Sequence, residues 1–523
     1  MLDLGTSFVA SVARDPDAIA IVDGNLRLTY RQWYAKISSL VASFDQMGLK
    51  PGDHLVTVLQ NRWEAATVHW ACQFSGIVIT PINWRAKADE LDFCIENSEA
   101  CAVVYQDVSS EAVLHSMRVS GLSRIGVGVP RSDNVAAYED MVSTQARDVT
   151  PRVSADAWSV MLYTSGTTSK PKGVPRRHRA ERAAGVAHVA QNFYGRNERT
   201  LGVMPLYHTM GVRSLIAMSL IGGMFVCLPR YDTREALALI EKEKITNLYL
   251  VPTLYHDMVY HEQFARYDTS SIRKLGFAGA SMTDGLLKKL DETFKPDRIV
   301  NHYGSSELYT FTIDQNAVAK PGSAGKAGIN QYVQVAKLNA KSPSDLAAVD
   351  EEGEIIALLA GDESFEGYWR RLDADAKALR DGWYFTGDTG FKDKDGDLFV
   401  TGRVDDMIIT GGENVSPVEI ESCLSLHPAV SEVAVIGLPD EKWGKIVAAF
   451  VKRNAPVTEQ ELEQFCQTSG LANFKRPRHF VFVDEIPKSP VGKLLRRMLV
   501  AGEYTTERAP PRGGLNIKNP TEG

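Results

Sequence analysis

Residues 163 to 173 read YTSGTTSKPKG, a run of hydroxyl side chains, two glycines and two lysines around one proline. Glycine permits the left-handed and open turns that let successive backbone N–H groups converge, as Gly166 could do here. The hydroxyls of Thr164, Ser165, Thr167 and Thr168 add donors, and Lys170 and Lys172 supply countercharge. Such a loop can wrap phosphate oxygens. A plain surface loop between two elements is the other reading of this composition. It is not the common P-loop, because there the lysine follows the last glycine, whereas Lys172 precedes Gly173.

A phosphate loop needs a strand to launch it, and the apolar run WSVMLYT ends where the loop begins. Similar runs recur along the first 300 residues: HLVTVLQ from 54, IVITPIN from 77, CAVVYQ from 101, LGVMPL from 201, MFVCLP from 224, ITNLYLVP from 245 and RIVNHYG from 298. Segments of helical length separate several of them, and this alternation predicts parallel sheets covered by helices. One helix start is explicit: Thr29 and Gln32 form a capping box ahead of apolar positions Trp33, Ile37, Leu40 and Val41 at helical spacing. Near residue 320 the texture turns Gly-rich with short strands, predicting a small, mainly antiparallel module over about 317–400. After Gly402 a compact α+β pattern follows: a helix over Pro417 to Leu424, strands at VAVIGLP, IVAAFVKR and HFVFVDEIP, a helix from Thr458 and a basic last helix from Lys493. Residues 508–523, rich in Pro, Gly and Asn, are expected to be disordered.

Composition excludes some roles. The chain of 523 residues, 44% hydrophobic and 24% charged, is long enough for several domains. Its net charge of −7 argues against nucleic acid as the main partner. The basic run RRHR at 176 to 179 reads as a solvated surface turn or as a positive rim beside a phosphorylated ligand. The six cysteines form no CxxC pair and read as reduced thiols. The N-terminus lacks the pattern of a secretory signal. The longest apolar run, Ser214 to Pro229, falls short of the roughly 20 residues of a membrane span and reads as a buried helix, a glycine turn and a strand. A cytoplasmic location with no membrane span is expected.

The loop and six further ordered motifs carry a resemblance: PLYHTMG (205–211), GFAGASM (276–282), YGSSE (303–307), GWYFTGD (382–388), GRVDDMIITGGENVSPVEIE (402–421) and PKSPVGKLLRR (487–497). Together they resemble the adenylate-forming superfamily of acyl- and aryl-CoA synthetases, and look most like its 4-chlorobenzoate:CoA ligase branch. The resemblance implies a large N-terminal domain (1–403) that includes a small β-barrel-like module, a small mobile α+β domain (404–507), and two half-reactions. In the first, a carboxylate attacks the α-phosphate of ATP to give acyl-AMP and pyrophosphate. In the second, the thiol of coenzyme A displaces AMP.

The same resemblance assigns residues. Lys493 takes the catalytic-lysine position, able to bridge carboxylate and α-phosphate as a mobile point charge. Glu307 takes the position that holds Mg²⁺, an ion that favours hard oxygen ligands. Thr164, Ser165, Gly166, Thr167, Thr168 and Lys172 hold phosphates. Tyr303 lies against the adenine, which Gly279, Ala280, Ser281, Gly304 and Ser306 line. Asp388, assisted by Arg403, accepts the ribose hydroxyls. Asp405 is the hinge on which the C-terminal domain turns between the half-reactions. Arg85, Trp443, Phe474 and Arg476 resemble CoA contacts. His208, with a gating place that also counts as catalytic, lines the acid pocket with Thr209, Tyr249, Gly304, Tyr309 and Thr310. Rings and hydroxyls there suit an aromatic or small cyclic acid. Ser169 departs from the family pattern, standing where the loop usually has glycine, and Ser306 stands where threonine is usual.

The implied partners are a small carboxylic acid, ATP and CoA, and the reading leaves room for a homodimer. Other readings are a medium-chain acyl-CoA synthetase, a stand-alone amino-acid or aryl-acid adenylation enzyme, a luciferase-like oxygenase, and a non-catalytic nucleotide-binding homologue. Retention of Lys493, Glu307, Asp388 and Arg403 speaks against the last.

Overall fold

The computed structural model describes residues 1–143, 147–164, 171–488 and 494–507. Its contacts separate two units, one of Met1–Met282 with Leu286–Val404, the other of Asp405 onward with Thr283–Gly285.

The first unit carries two sheets. In one, the strands Ile19–Asp23, Met224–Cys227, Arg199–Gly202, Asn247–Leu250, Lys274–Ala278 and Arg298–Tyr303 run parallel in that spatial order. The sheet then continues antiparallel through Thr312–Asp314, Ser323–Ala327, Leu398–Arg403, Trp383–Lys392, Gly353–Leu358 and Val333–Lys337. The Gly-rich module is thus hydrogen-bonded onto the edge of the parallel strands. The second sheet runs parallel from Ala136–Ala137 to Trp158–Thr164 and closes on an antiparallel partner, Lys172–Arg177. The central strands are buried on both faces, which explains why they read as unbroken apolar runs.

Local signals act as their chemistry dictates. Thr29 and Gln32 close the capping box on helix Tyr30–Gln46. That helix delivers Trp33 to an aromatic core with Phe8 and Trp70, whose rings lie 5.3 and 4.7 Å from that of Phe8. The run from Ser214 forms the end of helix Thr209–Ile221, a left-handed turn at Gly222 (φ 71°) and the strand Met224–Cys227. No helix among the described residues is long and apolar enough to cross a membrane.

Three expectations shift. The strand expected at LGVMPL lies at Arg199–Gly202 and stops ahead of Pro205, which has no N–H for a ladder. The last helix begins at Arg496 rather than Lys493. RRHR is neither a solvated turn nor a free rim: it joins a strand end to helix His178–Gln191, and Arg176 is 1% exposed. Glu181 takes its guanidinium, while Arg177 and Arg179 both donate to Glu366.

The second unit packs helices Pro417–Ser425 and Glu459–Thr468 on a five-stranded sheet built around Val430–Asp440 and Gly444–Arg453. Arg496 of the last helix pairs with Glu421, its Nη2 donating to both carboxylate oxygens at 2.7 Å. A hydrogen bond with Cys466 on the neighbouring helix lowers the Cys423 thiol below its ordinary value, whereas burial pushes Cys101 up to about 11. Thiolate is the reactive form. Iodoacetamide at pH 7.5 should therefore label Cys423 ahead of Cys101. Cys466→Ala should slow that labelling about 10-fold as the thiol returns toward its ordinary value, and peptide mass spectrometry reads both.

Candidate active site

The parallel strands Lys274–Ala278 and Arg298–Tyr303 end side by side, Ala278 opposite His302. Open α/β sheets bind ligands beyond the carboxyl ends of such strands. Gly279 leaves the first strand at φ +83°, a conformation that disfavours other residues, followed by Ala280 and exposed Ser281. The second strand delivers Tyr303 and then Gly304, where a Cβ would sit 2.0 Å from the Tyr309 carbonyl oxygen. Only glycine fits.

Burial keeps the Tyr303 phenol protonated, and its hydroxyl donates to Asp388 Oδ2 at 2.6 Å. The other carboxylate oxygen accepts from Arg403 Nη1 at 2.7 Å, since Asp388 and Arg403 face each other across adjacent strands. The carboxylate is thus held from two sides, one oxygen by Tyr303 and the other by Arg403. Arg403 is half exposed, its side chain at 46%.

Glu307 lies in a tight turn in which Ser305 Oγ accepts from the N–H groups of Glu307 and Leu308. The Glu307 carboxylate is nearly buried at 6% exposure, and Tyr368 Oη donates to its Oε1 at 2.7 Å. Lys172 Nζ stands 4.1 Å above the Tyr368 ring. Burial lowers the pKa of this lysine, and the Glu307 charge partly restores it. Thr164 and Lys172 are paired opposite each other on the two hairpin strands. The expected phosphate-loop residues Ser165, Gly166, Thr167 and Thr168, together with Ser169 and Lys170, lie outside the described residues, as does Lys493.

Beneath this turn runs a buried polar chain that the sequence reading missed. Arg176 Nη1 donates to the carbonyl oxygens of Glu307 (3.0 Å) and Ser306 (3.4 Å), its Nε pairs with Glu181, and Tyr309 Oη donates to Glu181 Oε2 at 2.9 Å. Arg213 was missed too. Its only sequence signal is one charge inside the apolar helix TMGVRSLIAMSLI. It is 2% exposed and donates to Thr310 Oγ1 (2.5 Å), to the Tyr309 carbonyl (3.4 Å) and to Tyr249 Oη. Three expected acid-pocket residues therefore meet on one guanidinium. His208 caps the same helix, its Nδ1 accepting from Met210 N at 3.3 Å, with Thr209 Oγ1 equally near.

The residues expected at CoA fall in different units. Arg85 is exposed and stacks on Trp84 at 3.8 Å in the first. Trp443, Phe474 and Arg476 belong to the second, where Arg478 stands 4.8 Å over the Trp443 ring and Arg476 Nε donates to the Leu471 carbonyl. Asp405 begins the second unit within a short 3₁₀ turn, and its side chain lies outside the described residues. Among the described residues, the acidic trio Asp393, Asp395 and Asp397 is close enough to hold a cation, but the Lys320 ammonium already pairs with all three.

Two family models match: AMP-binding enzyme over residues 8–369 and AMP-binding enzyme C-terminal domain over 419–493. The chain is 31% identical to a 4-chlorobenzoate–CoA ligase of Arthrobacter sp., over 97% of this chain and 96% of that protein. It is 32% identical to the long-chain-fatty-acid–CoA ligase FadD13 of Mycobacterium tuberculosis, over 91% and 93% respectively. The o-succinylbenzoate CoA synthetase of Bacillus subtilis, solved with its acyl-adenylate intermediate, superposes with a TM-score of 0.80 at 25% identity, covering 97% of this chain and 99% of that one. With both domain models in order along one chain and relatives matched over nearly their whole length, this protein belongs to the AMP-binding enzyme family.

Proposed function

We propose that the protein is an ATP-dependent carboxylic acid:coenzyme A ligase acting on an aromatic or small cyclic acid. The observation that carries this reading is the convergence, at the ends of the parallel strands, of a carboxylate fixed by Tyr303 and Arg403 with the Lys172–Tyr368–Glu307 cluster. A nucleoside triphosphate needs both, a rigid acceptor for its ribose and buried charge for its phosphates.

In this reading Tyr303 lies against the adenine, lined by Gly279, Ala280, Ser281, Gly304 and Ser306, while Asp388 and Arg403 hold the ribose. The hydroxyls and amides of Thr164 to Thr168 hold phosphate oxygens with Lys172. A cation in a poorly solvated site acts more strongly on an anion than one in water. Glu307 offers a hard oxygen of the kind Mg²⁺ takes, held in orientation by Tyr368. Mg²⁺ bound there would neutralise phosphate charge. An oxygen of the acid attacks the α-phosphorus and the bond to pyrophosphate breaks, with Lys493 between the two anions as the new bond forms. The chain then turns at Asp405. The CoA thiol gives up its proton as its sulfur attacks the acyl carbon and AMP leaves, with Arg85 and Arg476 on the CoA phosphates and Trp443 and Phe474 against its adenine and tether.

Identity alone does not choose the acid, since relatives named for chlorobenzoate and for long-chain fatty acids match almost equally. Arg213 favours the smaller, more polar class. Its guanidinium gathers Thr310, Tyr309 and Tyr249 at the expected pocket, and a pocket lined by ring and polar side chains suits a compact ring acid better than a long alkyl chain. Thioester formation measured over benzoates, cyclohexane carboxylates and C6 to C18 fatty acids should show kcat/KM highest among the ring acids. A maximum at C12 to C18 would overturn the substrate class.

A further inference from the structure

Arg213 sits in a larger buried cluster. The Tyr249 ring, whose hydroxyl meets Arg213, lies 4.6 Å from His188 and 5.0 Å from His302, and the two imidazoles are 5.3 Å apart. Arg213, His188 and His302 are 2%, 1% and 2% exposed. Burial and the nearby Arg213 charge hold both histidines well below their ordinary pKa, so they are neutral at pH 7.

Asn192 settles which ring nitrogens carry protons. Its Nδ2 donates to the His188 carbonyl at 2.8 Å, and a carbonyl only accepts, so the amide orientation is fixed. Nδ2 also lies 3.1 Å from His188 Nδ1, which must accept, leaving the proton of His188 on Nε2. Asn192 Oδ1 lies 3.0 Å from His302 Nε2, which must donate, leaving His302 Nδ1 a bare acceptor. Among the described residues, neither remaining atom, His188 Nε2–H nor His302 Nδ1, has a hydrogen-bond partner, and Arg213 Nε–H has none either. Polar atoms this deeply buried are costly to leave without partners, so three around one ring call for an occupant.

We propose that Arg213, His188 and His302 form a polar subsite beside the acid pocket that takes a hydroxyl group carried on the ring of the substrate acid. The inference rests on the ligase reading above and deepens it. The unused atoms of these three residues are two donors and one acceptor, with the Tyr194 hydroxyl beside His188 also unpartnered among the described residues, and a substrate hydroxyl accepts two hydrogen bonds and donates one. A carboxylate or ether oxygen gives His302 nothing. A methyl or chloro substituent satisfies none of the three. Sites built to bind a substrate hydroxyl discriminate strongly against analogues that lack it, because their buried polar groups are then left unpaired.

The test is kcat/KM for pyrophosphate release and thioester formation with benzoate, the three methylbenzoates and the three hydroxybenzoates, using the full chain and then Arg213→Met and His302→Phe. One hydroxybenzoate isomer should exceed both benzoate and the methyl isomer at the same position by about 100-fold. Both variants should shrink that ratio to within about 10-fold. The ratio compares two acids on one preparation, so it does not depend on the fraction of a variant that folds. Equal kcat/KM across the benzoates, or a ratio unchanged in both variants, overturns the subsite while leaving the ligase reading intact. Absence of pyrophosphate release with every benzoate and with the cyclohexane carboxylates and fatty acids of the wider panel overturns the ligase reading and the subsite with it.

Discussion

Lys493→Ala is expected to lower acyl-adenylate formation about 10²–10³-fold, the cost of removing one charge-stabilising group from a reaction between anions. In the first half-reaction a carboxylate approaches an already anionic phosphate, and charge accumulates between them as the oxygen–phosphorus bond forms. A compact ammonium on a flexible stem can follow both groups as they close. Arginine presents a planar fork instead, so Lys493→Arg should rescue little. The second half-reaction needs the space that lysine vacates, so thioester formation from supplied acyl-AMP should stay within about 5-fold of wild type if the domain turns between steps. Pyrophosphate exchange into ATP reads the first step, and CoA-dependent consumption of acyl-AMP reads the second. Unimpaired exchange in Lys493→Ala would remove Lys493 from the mechanism.

Arg176→Met should destabilise the first unit by about 3–5 kcal/mol, the usual cost of stranding a buried charge. Arg176 and Glu181 are both fully buried, and Arg176 also holds the carbonyls of Ser306 and Glu307, so the turn carrying the Glu307 carboxylate should loosen with it. Arg176→Met with Glu181→Gln removes both charges and keeps an acceptor for the Tyr309 hydroxyl. The double variant should recover at least half of the lost stability, because the penalty comes from the unpaired carboxylate more than from the lost contact. Denaturant unfolding measures both. Equal losses in the single and double variants would mean that packing of the long side chain, not charge pairing, is what matters.

Much of the scaffold was legible because its strands are buried on both faces and read as bare apolar runs between helical segments. His54–Val58 and Ala102–Gln106 are buried at every position. The Thr29 capping box and the Gly222 turn were equally plain, since each is a local hydrogen-bond or backbone requirement written in adjacent residues. Glu307, Tyr303, Asp388 and Arg403 could be named from motifs. The Tyr303–Asp388 hydrogen bond could not, because it joins residues 85 apart on strands that are not neighbours in the sheet. Tyr368, which holds Glu307, belongs to no motif. Arg176, Glu181 and Arg213 were hidden for a different reason. A charge normally marks a surface, and RRHR looked like one, yet these charges are affordable inside only because partners distant in sequence arrive to meet them.

The products of one reaction decide most directly whether the protein is an acid:CoA ligase. The full chain incubated with ATP, Mg²⁺, CoA and a hydroxybenzoate should release AMP, pyrophosphate and the acyl-CoA thioester in equal amounts, with no AMP formed when the acid is left out. Release of ADP and phosphate, or AMP and pyrophosphate with no thioester in the presence of CoA, would contradict it.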